Sequence, residues 1–131
     1  MTDEKKSPVT ITRLGSIGVP VTNQDRALEF YAGLLGLEKR RDADTGNGWR
    51  WLEIAPPEAT TSIALVPTRE DAPVGIETGI RLLTPDAEAA HAALVTHGAD
   101  VDAEIMRWGG GVPPMFYVRD PDGNKLVIVE G

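Results

Sequence analysis

The chain has 131 residues, the size of one domain burying roughly two-thirds of its unfolded surface, a core that needs no staples. It contains no cysteine, which excludes thiolate zinc sites, thiol nucleophiles and disulfide frameworks. Thirteen basic against twenty acidic side chains give a formal charge of −7, a field that repels phosphate backbones and argues against nucleic acid while leaving cationic or neutral small molecules unopposed. The same charge also serves plain solubility. No stretch approaches the ~18 apolar residues of a membrane span, and the polar start MTDEKKSPVT lacks an apolar signal core. The expectation is a soluble, cytoplasmic protein with a disordered segment over residues 1–11.

In chain order, LGSIGVPV (14–21) alternates small with β-branched residues and predicts a strand, Ile17, Val19 and Val21 sharing one face. Asn23 is a helix cap, followed by Ala27, Phe30, Tyr31, Leu34 and Leu35 at helical spacing and by Gly36 as the left-handed stop. Three extended stretches follow, LEKRRDAD, WRWLEIA and TTSIALV, separated by the turn signals TGNG and PPEA. This unit reads βαβββ. The second half repeats it. ETGIRLL is a strand; Thr84 and Pro85 open a helix as cap and first residue; Ala87, Ala90, His91 and Leu94 line its inner face; Gly98 ends it. ADVDAEIM, PMFYVR and NKLVIVE then read as strands, with RWGGGVPP as a connection and DPDG as a turn. Equivalent positions keep a near-constant offset: Gly36 to Gly98 is 62 residues, Leu65 to Ile128 is 63 and Pro57 to Pro121 is 64. A repeat at constant offset is a strong fold signal. It divides the chain into module one at 12–67, a linker at 68–74 and module two at 75–131.

The paired βαβββ units, with DRALEFYAGLLGLE after the first strand and FYVRDPDGNKLVIVE at the end, resemble the vicinal oxygen chelate superfamily, which includes glyoxalase I, extradiol dioxygenases and bleomycin-resistance proteins. The resemblance covers about residues 12–131. It implies an α+β fold in which two βαβββ modules form an open curled sheet, with helices outside, a ligand cavity inside, and pairing of modules within a chain or across a swapped homodimer. In metal-using members, four strand positions carry His, Glu or Gln. Transferred to this sequence, these positions are Ser16, Ala64, Gly79 and Val127. None except the serine hydroxyl offers a donor atom, and that hydroxyl is a poor ligand for divalent ions. The resemblance therefore implies no metal and no other cofactor here. His91 and His97 lie six apart and do not share a helix face as a ligand pair would. They read as a half-buried helix residue and a charge near a helix C-terminus.

If the apolar positions above face the helices, strand alternation turns their neighbours toward the cavity. The expected ligand-binding set is Ser16, Trp49, Trp51, Glu53, Arg81, Trp108, Met115, Tyr117 and Val127. Trp51 and Tyr117 suit stacking on a planar or cationic compound, and equally suit core or interface packing. Arg81 suits a ligand carboxylate or an ion pair with Glu53. The resulting expectation is a metal-free small-molecule-binding protein that sequesters an aromatic or cationic compound. The alternative is a lyase, isomerase or dioxygenase-related enzyme using Glu53 and Arg81 as its catalytic groups. No nucleic acid or membrane partner is expected.

Overall fold

The structure, a computed structural model, describes residues 7–68 and 73–131. Of the expected disordered segment 1–11, residues 1–6 lie outside the described ones, and residues 7–11 carry no regular structure and are exposed. Of the expected linker 68–74, residues 69–72 lie outside them as well. Among the described residues no helix is long and apolar enough to cross a membrane.

The elements are β1 (Ser16–Val21), α1 (Gln24–Leu28) continuing into a π-helical turn (Glu29–Leu34), β2 (Glu38–Asp44), β3 (Arg50–Ala55) and β4 (Ser62–Pro67), then β5 (Glu77–Thr84), α2 (Ala87–Thr96), β6 (Asp100–Val101), β7 (Met115–Arg119) and β8 (Lys125–Glu130). They form two four-stranded mixed sheets, ordered β1-β4-β3-β2 and β5-β8-β7-β6. In each, the first strand runs parallel to the fourth and the remaining pairs are antiparallel. The chain therefore builds the same α+β unit twice.

The local signals explain most of these elements. Asn23 caps α1, its side chain accepting from the Arg26 amide at 2.9 Å. Leu35 N–H then bonds Phe30 O at 3.0 Å, the wider π spacing. That extra residue lets the adjacent Phe30 and Tyr31 both reach the core, where their rings meet edge to face at 5.0 Å. Strand alternation sorts the rest. Val19, Val21, Leu52, Ile54, Ile63 and Leu65 of the first sheet join Ile80, Phe116, Val118, Leu126 and Ile128 of the second in one buried cluster with the helices. The opposite face of each sheet turns away from that cluster.

Two expectations are corrected. The α2 cap is Asp86 and its first residue Ala87, because the Asp86 carboxylate accepts from Ala89 N–H at 3.0 Å, while Thr84 completes β5. The strand expected over 99–106 shrinks to Asp100–Val101 plus a bridge between Met106 and Met115. His91 Nε2 lies 2.7 Å from the Asp102 carbonyl, turning that backbone group away from a ladder. RWGGGVPP closes as a hairpin in which Val112 N–H bonds Gly109 O at 3.1 Å. Gly109, Gly110 and Gly111 all hold positive φ (73°, 62° and 89°), a run that side chains would strain.

The halves are joined by a buried polar cluster at the turn between β7 and β8. Tyr31 donates to Asp120 at 2.8 Å, and Asn124 donates to Asp120 at 2.9 Å and to Pro20 O at 2.8 Å. Asn124 also accepts from Gly75 and Ile76 N–H at 2.9 and 3.0 Å. Beside it, Asp122 accepts from the Thr22 amide and hydroxyl at 3.0 and 2.6 Å. No buried side-chain polar atom among the described residues is left unpartnered, as a low-dielectric cluster requires. Burial and the neighbouring Asp120 push the Tyr31 hydroxyl far above the usual tyrosine range.

Candidate functional site

The site is built from side chains that alternation leaves on the open faces. On the first sheet, Ser16 stands opposite Ser62 and Gly18 opposite Ala64 across β1 and β4, while Glu53 of β3 pairs with Ala64 on one side and Arg41 on the other. On the second, Arg81, Val127 and Tyr117 form one rung across β5, β8 and β7, and Leu83, Val129 and Met115 form the next. The open faces are not enclosed by the chain itself. Ser16, Trp51, Val66, Arg81 and Leu83 are exposed, whereas Ala64 and Val127 on the central strands are covered by their neighbours.

Glu53 is the most constrained of these groups. Its carboxylate accepts from the Trp51 indole at 2.6 Å and from the Ser62 hydroxyl at 2.5 Å. The Ser62 hydrogen bond first, then that of Trp51, hold it below the ordinary glutamate range against the opposing effect of burial, with smaller help from the Arg41 and Arg13 charges. The result is a fixed anion with both oxygens engaged. Trp51 is thereby oriented, 37% exposed, with its ring 6.4 Å from that of Trp49. Trp49 also lines a polar cleft of about 500 Å³ between the start of α1 and the β2–β3 turn, beside Asp25, Asp44 and Arg50.

On the second sheet, the Lys125 ammonium lies 4.9 Å from the Tyr117 ring centroid. Arg81 makes one bond, to Gly79 O at 3.3 Å. The expected Arg81–Glu53 pair does not form, because the two residues stand on different sheets and Glu53 is already satisfied by Trp51 and Ser62. Trp108 stands 62% exposed at the glycine hairpin, two residues beyond the bridge from Met106 to Met115. The two rows therefore gather Trp49, Trp51 and Glu53 with Ser16 on one sheet, and Arg81, Met115, Tyr117 and Val127 on the other.

Ser16, Ala64, Gly79 and Val127 lie in strands β1, β4, β5 and β8. No group of three or more His, Cys, Asp or Glu among the described residues is arranged to hold a metal. The histidines are engaged elsewhere, His91 edge to face with Phe116 at 5.0 Å and His97 against the Ala93 carbonyl at 2.9 Å.

Two residues of the open faces, Ser62 and Lys125, stand outside the expected set, and for different reasons. The role of Ser62 in fixing Glu53 depends on the pairing of β3 with β4. Lys125 was legible: it shares strand parity with Val127 and Val129 in NKLVIVE, which puts its side chain on the open face. A second cleft, about 430 Å³ and lined by Leu34, Leu35, Leu82, Ala90, Leu94 and His97 among others, lies on the helix side between the two halves.

Over residues 13–128 the chain matches the family described as the Glyoxalase/Bleomycin resistance protein/Dioxygenase superfamily. It is similar to TnmS3, an antibiotic binding protein from Streptomyces sp. CB03234, at 31% identity and a TM-score of 0.78, over 93% of this chain and 98% of that one. A member of the same superfamily from Sphaerobacter thermophilus DSM 20745 superposes with a TM-score of 0.81 at 32% identity, over 92% and 98% of the two chains. The uncharacterized protein YetH of Bacillus subtilis (strain 168) is 26% identical over 123 residues, 92% of this chain and 99% of its own.

Proposed function

Because the chain belongs to the glyoxalase/bleomycin resistance protein/dioxygenase superfamily, we propose that its open sheet faces bind a small planar organic compound and sequester it without a metal and without turnover. The observation that carries this reading is the exchange of chemistry on those faces. Where metal-using members would carry donor side chains stand Ser16, Ala64, Gly79 and Val127, and beside them stand Trp51 and Tyr117, surfaces for stacking. The likeness to an antibiotic binding protein supports a ligand of that kind. The state of Glu53 speaks against catalysis by that carboxylate. A general base near neutrality needs a raised pKa and a free lone pair, and Glu53 has a lowered one with both oxygens engaged.

The exposed open faces, and the unpaired edges of β1 and β5, support a homodimer in which the module of residues 12–67 of one copy closes over the module of residues 75–131 of another. Such closure would turn each open face into a cavity.

The test is a thermal-shift screen of the purified protein, with its metal content measured by elemental analysis. Planar aromatic compounds are expected to raise the Tm, divalent metals to leave it unchanged, and the preparation to hold no stoichiometric metal. Trp51→Ala is expected to weaken the aromatic ligand about tenfold, the loss of one stacking contact. Stoichiometric metal, or stabilisation by metal alone, would overturn the metal-free reading; unchanged affinity in Trp51→Ala would overturn the placement of the ligand.

A further inference from the structure

We infer that the ligand is an aromatic acid, its ring on the Tyr117–Val127 floor of the second sheet and its carboxylate held by Arg81 and Lys125. This rests on the small-molecule reading of the open faces and names the charge of the compound.

Six of the ten Lys and Arg side chains among the described residues stand in ion pairs. Arg50 pairs with Asp25 and Asp42, Arg119 with Asp100 and Asp102, Arg107 with Glu88, Arg26 with Asp122, Lys39 with Asp42 and Arg40 with Glu38. Arg41 and Arg13 form no ion pair among the described residues, but both help to hold the Glu53 carboxylate charged, Arg41 standing in register across from it. Arg81 and Lys125 differ. Neither forms an ion pair among the described residues. The nearest acidic residue in register is Glu77, opposite Lys125, and its carboxylate turns to the Gly79 amide at 3.4 Å. Arg81 spends one weak bond on Gly79 O, and Lys125 meets only the Tyr117 ring.

Their placement also converges. Arg81 is registered against Val127 on β8, and Lys125 lies two residues before Val127 on the same face. They are diagonal neighbours, with backbones roughly 7–8 Å apart, a span that two long side chains close around one carboxylate. Buried Val127 stands beside Arg81 in register, and on its far side the Tyr117 ring, under the Lys125 ammonium, extends an apolar and aromatic floor. A guanidinium offers the fork that matches a carboxylate, and an ammonium adds a point charge. The first sheet suits it less, since half-buried Glu53 is an anion with both oxygens engaged and Arg41, in register across from it, helps to hold that charge.

This inference runs against the net charge of −7, which by itself favours a cationic ligand. Net charge acts through a screened long-range field and mainly changes encounter rates, whereas groups in contact set the preference. The two effects can be separated by experiment.

Isothermal titration calorimetry would compare three compounds of one ring system: naphthalene-2-carboxylate, its neutral carboxamide, and 2-naphthylmethylammonium. The carboxylate is expected to bind about tenfold tighter than the carboxamide. Arg81→Gln with Lys125→Gln should abolish that difference, with the Tm of the variant confirming its fold. Equal affinity for acid and amide, tightest binding of the ammonium, or a preference that survives the double substitution would each overturn the aromatic-acid assignment while leaving the small-molecule reading in place. Failure of all three compounds to bind the wild-type protein would overturn both.

Discussion

The two halves of this chain share one strand order, yet the equivalent turns before their last strands differ in what they do. In the first half, Pro56 to Ala59 closes on itself, with Ala59 N–H bonded to Pro56 O at 3.1 Å and Glu58 at a positive φ of 71°. In the second, Asp120 to Gly123 makes the same kind of local closure, Gly123 N–H to Asp120 O at 2.8 Å, and then uses its side chains to hold Tyr31 and Thr22 of the other half. The open faces diverge in parallel. One carries a carboxylate saturated by donors of its own sheet, and the other carries cations without carboxylate partners. A repeat thus preserves the backbone while each copy takes separate chemistry, because alternation dictates where a side chain points and leaves open what it is.

Three experiments break or sharpen this contrast. The largest effect belongs to the link between halves. Asn124→Ala removes partners from the Gly75 and Ile76 amides, Asp120 and the Pro20 carbonyl at once. Urea denaturation should show a loss of about 3–5 kcal/mol, since several buried groups become orphans. A loss below 1 kcal/mol would mean that the halves are held by apolar packing alone.

Tyr31→Phe touches the same cluster more gently and should cost about 1–3 kcal/mol. It also has a signature in pH. The folded-state pKa of Tyr31 is raised, so its contribution is in full below the unfolded value of roughly 10 and is lost as pH rises above it, when the unfolded chain ionises and the folded one resists. Denaturation curves from pH 8 to 11 should show a shallower alkaline loss in Tyr31→Phe than in the wild type. Identical slopes would remove Tyr31 as their source.

The smallest effect is on the first open face. Ser62→Ala removes the stronger of the two hydrogen bonds holding Glu53 charged, so its pKa should rise toward the usual value. The depressed pKa stabilises the fold above the ordinary glutamate value of roughly 4.3, and that contribution disappears as pH falls through the folded value. The variant should therefore lose less stability on acidification. Carboxyl-carbon NMR reads the Glu53 titration directly; an unmoved midpoint would show that the Trp51 indole suffices.

Much of this was legible in the residues themselves. Val19 and Val21, Leu52 and Ile54, Phe116 and Val118 fall on the core side as alternation predicts, and Asn23, Gly36 and Gly98 mark the helix boundaries in the places their chemistry favours. Where two local signals competed, the reading failed: Thr84 and Asp86 both suit a cap, and the carboxylate prevailed because Thr84 was claimed by β5.

What the sequence by itself determined is therefore the βαβββ repeat and the buried face, since these follow from periods of two and near four residues that a short window contains. Only the tertiary structure decided that Glu53 is held by Ser62, that Arg81 and Lys125 flank Val127, and that Tyr31 meets Asp120 across 89 positions of chain. Such pairings depend on how strands register and how two sheets sit against each other, information that no local pattern carries.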